Sequence, residues 1–380
     1  MKTALCATVL LGLAVNAAVA GPPTASIRNG KARATLILPD VRNGYYRGTR
    51  FDWSGSLTSL EAAGHSYFGQ WFARWDPLVH DSITGPVEDY APLNYAEARP
   101  GEGFVKIGIG VLKKIDEQPY RFSAPYPLTD TGKWSVRKSA DFVEFRHELS
   151  DPRSGYGYVY TKTVRLTTGQ PQMTIEHVLK NTGSKAIATT VYNHGFFMLD
   201  RKPTGPDVTV TFPFDIKNSR DMNGLAEVRG RQIVYLAELQ DSPSLDLPAV
   251  APAPPARAPR GALALTPPST PAPAAGTPGP AGARRQTAST PVEGFSNDPK
   301  DFDIAIENSS TGAGVRISGD RPLWRINFWS VRTTVCPEVY VEVKAEPGAE
   351  TRWKLTYDFY SLPKRTAPVV GSARLPVSVP

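Results

Sequence analysis

Apolar and polar side chains alternate with a period of two through almost every patterned segment of this chain, as at Ala34 to Leu38, Phe142 to Leu149, Tyr156 to Leu166 and Gln172 to Leu179. Successive side chains of an extended backbone point to opposite faces, so this pattern predicts half-buried strands, whereas helical spacing is nearly absent. Further strands are expected at Ile187 to Phe197, Val208 to Phe212, Gln232 to Leu236, Phe302 to Ile306 and Trp353 to Phe359, separated by Gly, Pro, Asn and Asp turns. Many strands at short spacing imply an all-β sandwich or barrel, and no internal repeat is visible.

Two stretches break the pattern. Residues 1–20 carry one basic residue, Lys2, an apolar run from Ala4 to Val15, and Ala18-Val19-Ala20 before Gly21, which reads as a cleaved secretory signal. Nothing later offers about 18 consecutive apolar residues, so no transmembrane segment is expected and the protein is expected to be periplasmic or secreted. From about 242 to 291 the composition shifts to Pro, Ala, Gly, Ser and Thr without aromatic residues, which predicts a disordered segment.

Charge and cysteine narrow the picture further. The formal net charge of +7, from 43 Lys and Arg against 36 Asp and Glu, is mild for 380 residues. The basic residues are scattered, Lys113-Lys114 and Arg284-Arg285 being notable doublets, so no stripe tracks a phosphate backbone and nucleic acid is not an expected partner. Cys6 lies within the signal, which leaves Cys336 alone in the mature chain and makes an internal disulfide impossible. Five histidines without an HExxH or paired-cysteine pattern give no support to a metal, and Gly108-Ile109-Gly110 is too short for a dinucleotide fingerprint, so no cofactor is expected.

The candidate chemistry lies on two strand-like segments. In Cys336 to Val343, the valines at 339, 341 and 343 share one face, which places Glu338, Tyr340 and Glu342 on the other. In Tyr192 to Phe197, the same alternation groups Tyr192, His194 and Phe196, an imidazole among rings. A carboxylate beside aromatic side chains suits sugar binding. Bland readings compete: Glu338 as a solvent-facing strand carboxylate, His194 as a satisfied histidine in an aromatic cluster. Arg47 and Arg50 frame Gly48-Thr49 and could fork onto a substrate or form a buried ion pair with Asp52, Glu88 or Asp89. Trp53, Trp71, Trp75 and Trp329 suit either core packing or stacking on a sugar face.

Motifs spread over most of the chain resemble the galactose mutarotase-like superfamily, the aldose 1-epimerases and their relatives. They are Asn43-Gly44-Tyr45-Tyr46-Arg47-Gly48-Thr49-Arg50-Phe51, His80 in Leu78-Val79-His80-Asp81, His194 in Tyr-Asn-His-Gly-Phe-Phe, and Pro337-Glu338 followed by Trp353 and Tyr357-Asp358-Phe359-Tyr360. The resemblance implies a large antiparallel β-sandwich that holds a monosaccharide or glycan on a concave sheet. It also implies His194 as acid and Glu338 as base, with substrate contact from His80, Arg47, Arg50 and Trp329. The chain departs from the family where Asp81-Ser82-Ile83-Thr84-Gly85-Pro86 follows His80 in place of glycines. Because His194 precedes the Pro/Ala-rich stretch and Glu338 follows it, residues 21–380 are expected to form one domain with an insertion, in which the two side chains face each other across a sugar-sized hollow. The expected function is acid–base interconversion of sugar anomers; the rivals are a non-catalytic carbohydrate-binding protein of the same fold and a cell-envelope assembly protein.

Overall fold

The computed structural model describes residues 21–217, 219–241 and 285–363. The expected signal and residues 242–284 of the expected insertion lie outside them. Nearly all regular structure is strand, and every pairing between named strands is antiparallel. The pattern-derived strands appear with small shifts of boundary: Tyr156–Leu166 spans the expected residues, Gln172–Asn181 and Phe142–Asp151 run two residues further, and Glu350–Ser361 extends at both ends. The end of the stretch assigned to disorder is a strand, Ala288–Val292, in which Ala288, Thr290 and Val292 are buried. Its Pro291 is accommodated because this strand lies at a sheet edge.

Two sheets define the architecture. A ten-stranded sheet runs in the order Ala226–Arg229, Gln232–Tyr235, Val208–Thr211, Asp303–Asn308, Ala313–Gly319, Glu350–Ser361, Gln172–Asn181, Tyr156–Leu166, Phe142–Asp151 and Lys133–Lys138. A five-stranded sheet runs Ala288–Val292, Arg325–Val331, Thr334–Ala345, Ile187–His194 and Val87–Tyr90. The valine face of the shorter sheet, Val191, Val339, Val341 and Val343, packs into one core with Ile175, Trp353, Leu355 and Tyr357 of the larger sheet. This is an all-β sandwich, and its register leaves Tyr192, His194, Glu338 and Tyr340 on the outer face of the shorter sheet. A second cluster, including Phe51, Trp71, Ile83, Phe104 and Phe196, builds the wall above that face.

Candidate active site

The outer face of the five-stranded sheet is the floor of a cavity of about 450 Å³, lined among others by Arg50, Trp71, Asp81, Asp89, Phe122 and Trp329. The floor is set by register. Arg325, Tyr340, Tyr192 and Asp89 stand across from one another on four neighbouring strands. In the next row Asn327 pairs with Glu338, and one step beyond the Asn193–Val339 pair His194 is brought beside Glu338. Neighbouring strands lie about 4.8 Å apart, so an imidazole and a carboxylate in that row meet directly. His194 Nε2 stands 3.3 Å from Glu338 Oε1. The expected pair is therefore brought into one site, but side by side on the floor and not across a hexose-sized gap.

Local backbone explains how His194 is held. The strand ends at His194, and Phe196 adopts a left-handed φ of 45°, a conformation uncommon for any residue but glycine. That turn lays the Phe196 ring flat on the imidazole, with centroids 3.6 Å apart and planes inclined by 10°. Phe51 and Trp329 meet it edge-on at 5.8 and 5.4 Å. Gly195 sits where a Cβ would fall 2.2 Å from the Phe197 ring, and at Gly85 a Cβ would fall 1.8 Å from the Gly195 carbonyl oxygen. Both glycines are thus required by close approach of the chain. The Cys336 Sγ accepts a hydrogen bond from the Gly195 N–H at 3.0 Å, and burial pushes the thiol pKa up, so this cysteine supports the turn and is no nucleophile.

Burial acts on both members of the pair in the direction of their uncharged forms. Burial, helped by the Arg50 guanidinium, holds His194 well below the usual imidazole range, against an opposing pull from Asp81. Burial likewise raises the Glu338 carboxyl, although Asn327 Nδ2 donates to Oε2 at 3.0 Å and Arg50 favours the anion. Among the described residues, His194 Nδ1 is buried with no hydrogen-bond partner. The pair offers one group to give a proton and one to take it at atoms 3.3 Å apart.

Arg50 is both ion-paired and on the cavity wall. Its Nε donates to Asp89 at 3.1 Å, Nη1 to Asp81 at 2.5 Å and Nη2 to the Tyr192 hydroxyl at 2.8 Å, and the guanidinium lies between Phe51 and Phe122. Of the ion-pair partners expected for it, Asp89 is the one found; Asp52 and Glu88 belong elsewhere. Lys106, fully buried, binds the other Asp89 oxygen at 2.7 Å and the Tyr120 hydroxyl at 2.8 Å.

The remaining expected residues divide. Trp329 lines the cavity, as does Trp71, whereas Trp53 is core with its indole N–H on the Gly48 carbonyl. His80 is outside the lining: its ring lies 5.5 Å from Phe122 and its Nε2 3.3 Å from Asp81 Oδ2. Asp81 lines the cavity although His80 beside it does not, residues 80–81 forming a turn and not a strand. Arg47 does not reach the cavity; its backbone N–H donates to the Pro77 carbonyl and its Nε is buried with no partner. Asn327 and Arg325 were missed, although both fall on the Trp329 face of their strand by the same period of two. Among the described residues no group of three or more His, Cys, Asp or Glu could hold a metal ion.

No protein-family model matches the chain. No curated protein matches it either. Solved structures similar to it include a galactose mutarotase-like protein from Lactobacillus casei ATCC 334, at 12% identity and a TM-score of 0.48 over 89% of this chain and 100% of that one. An aldose epimerase homologue from C. elegans gives 12% identity and 0.48 over 90% and 100%. A galactose mutarotase-like protein from Clostridium acetobutylicum gives 12% and 0.48 over 89% and 95%. The roles assigned to side chains below rest on the geometry above.

Proposed function

We propose that this protein is an exported aldose 1-epimerase-like enzyme that interconverts the anomers of a sugar on the floor formed by His194 and Glu338. The observation that carries the reading is that contact pair, buried together at the bottom of a sugar-sized cavity with aromatic walls. Anomerisation opens the pyranose by removing a proton from the anomeric hydroxyl and delivering one to the ring oxygen, then closes the ring on the other carbonyl face. With the shared proton on His194, carboxylate Glu338 accepts from the hydroxyl and imidazolium His194 Nε2 delivers to the ring oxygen, a charged form that the burial of both groups works against. Each such transfer is worth about 100- to 10,000-fold. In the uncharged form of the pair the two exchange roles, as a reaction that runs equally in both directions allows. Export is carried by residues 1–20 alone; among the described residues no helix is long and apolar enough to cross a membrane.

Magnetisation-exchange NMR or polarimetry on fresh α-glucose and α-galactose tests this: the purified protein accelerates approach to the anomeric equilibrium, and Glu338→Gln removes the acceleration while sugar still binds. Acceleration that survives Glu338→Gln would end the assignment. One observation favours the rival reading, a sugar-binding protein without turnover: the two groups already touch each other, so a sugar must compete for them. Saturable binding without acceleration by the wild type would decide for that rival.

A further inference from the structure

The cavity wall carries one guanidinium that the site does not consume. Arg50 is saturated by Asp89, Asp81 and Tyr192, and Lys106 by Asp89, Tyr120 and the Arg50 carbonyl. Arg325 differs. Its side chain is exposed on the cavity wall, its guanidinium lies 5.0 Å from the centroid of the Tyr340 ring, and among the described residues it forms no hydrogen bond and no ion pair. Tyr340 is itself stacked on Tyr192 at 4.3 Å, so the plane that supports Arg325 is fixed by the next strand.

The register gives the distance to the reacting pair. Arg325 is two residues before Asn327, the donor to Glu338, on one face of the same strand. Two residues of strand span about 7 Å, and the Glu338 strand is the immediate neighbour. A sugar whose ring oxygen and anomeric hydroxyl sit over His194 and Glu338 carries its C5 substituent beside that ring oxygen, and can direct it along the strand toward Arg325.

We infer that Arg325 is an anion subsite and that the preferred substrate of this cavity is a sugar bearing a carboxylate on C5, a uronic acid or the uronate reducing end of an acidic oligosaccharide. The inference rests on the anomerase reading for its orientation. A guanidinium presents a planar fork that matches a carboxylate with two parallel hydrogen bonds. Arg50, Lys106, Asp81 and Asp89 pair with one another, which leaves Arg325 without an ion pair among the described residues, its charge acting on the Glu338 carboxyl of the same cavity. A dianionic phosphate at the same end would find one fork where it needs more.

The test compares α-galacturonate and α-glucuronate with α-galactose, α-glucose and glucose 6-phosphate, measuring anomerisation by NMR and binding by calorimetry on the full chain. The expected result is kcat/KM at least about 10-fold higher for a uronate than for its parent hexose, falling with added salt as a partly exposed charge contact does. Arg325→Gln brings the ratio of uronate to hexose close to one, and Arg325→Lys keeps part of it because the charge remains without the fork. Equal use of uronate and hexose by the wild type, an unchanged ratio in Arg325→Gln, or a preference for the phosphate overturns the subsite. If no sugar is anomerised but uronate binds more tightly than hexose and loses that preference in Arg325→Gln, the subsite stands and the catalytic reading falls. If nothing binds or reacts, both fall.

Discussion

The two faces of the five-stranded sheet carry similar residues and treat them differently. Adjacent Glu88 and Asp89 point to opposite sides of one strand, and so do Asn193 and His194 of the next. On the inner side Glu88 binds fully buried Lys162, accepts from Asn193 Nδ2 at 2.9 Å and lies 3.4 Å from His177 Nε2. Asn193 Oδ1 in turn accepts from Tyr357 at 2.7 Å, and Lys162 also donates to the Ser54 carbonyl at 2.7 Å and reaches Asp52 Oδ2 at 3.4 Å. That network compensates each of its charges inside the sandwich, although among the described residues His177 Nε2 makes no hydrogen bond. On the outer side capacity is left open: among the described residues His194 Nδ1 has no hydrogen-bond partner and Arg325 forms no ion pair. A polar cluster that ties two sheets together satisfies its own groups, whereas one that meets a ligand leaves donors and acceptors for it.

The comparison breaks most sharply at Lys162. Lys162→Met leaves Asp52 and Glu88 buried without their cation, and breaking such a pair from one side costs about 3–5 kcal/mol. Denaturant unfolding at pH 7 reads this loss directly. Burial has already pushed Asp52 up to about 6, and Lys162 together with His177 and Asn193 is what holds Glu88 below its ordinary range against the same burial. Without the cation both carboxyls rise above their unfolded values, so the variant's lost stability returns as pH is lowered and the two take up protons. An unfolding midpoint within experimental scatter of the wild type would show that the inner network is not a fixture of the fold.

Glu338→Gln is the counterpart on the open face, with an anomerisation rate lowered about 100- to 10,000-fold and no loss of stability. Its pH dependence carries the sign. The folded Glu338 carboxyl is raised above its ordinary value of 4.5, so the wild type is stabilised by it only at low pH and loses that contribution as pH rises through the folded value. The variant, which does not titrate, therefore gains on the wild type in thermal melts as pH rises above 4.5. A variant less stable than the wild type at pH 7 would mean that Glu338 belongs with the structural carboxylates after all.

His177 tests the inner face by acid. Burial holds it down to about 4 from an ordinary 6.5, with Glu88 opposing and Lys162 assisting. The unfolded chain takes up a proton below pH 6.5 that the folded chain refuses until about 4. Stability accordingly falls over that window by on the order of 3 kcal/mol from this residue. His177→Gln flattens the dependence, and an unfolding free energy that varies with pH as steeply in the variant as in the wild type would remove His177 from the account.

Period-two alternation was enough to find the long strands and to put His194 and Glu338 on outward faces, because one face of each strand must be buried. Trp329 follows from the family resemblance and not from this alternation. What the alternation missed lies off the regular ladder. Asp81 and His80 occupy a turn, where alternation has no meaning, and Arg47 turns away from the cavity one residue before Gly48. The Val87–Tyr90 strand is four residues long and buried on both faces, so its Glu-Asp core gave no apolar signal although it supplies carboxylates to both networks. The side-by-side meeting of His194 and Glu338 required the register of two strands about 140 residues apart in sequence, which no local pattern holds.

The mildest test asks whether the closed face governs the open one. Tyr357→Phe removes the donor to Asn193 and leaves its buried oxygen with one fewer partner, a change of about 1 kcal/mol in stability. Asn193 immediately precedes His194, so a loosened Asn193 lets the end of that strand shift and alters the contact with Glu338, which must hold to fractions of an ångström for proton transfer. The expected outcome is a modest fall in kcat, within about 10-fold, with KM for the sugar little changed, since no side chain on the cavity wall is touched. A stability loss with kcat intact would show that the five-stranded sheet insulates its two faces, and that His194 is positioned by the Phe196 turn alone.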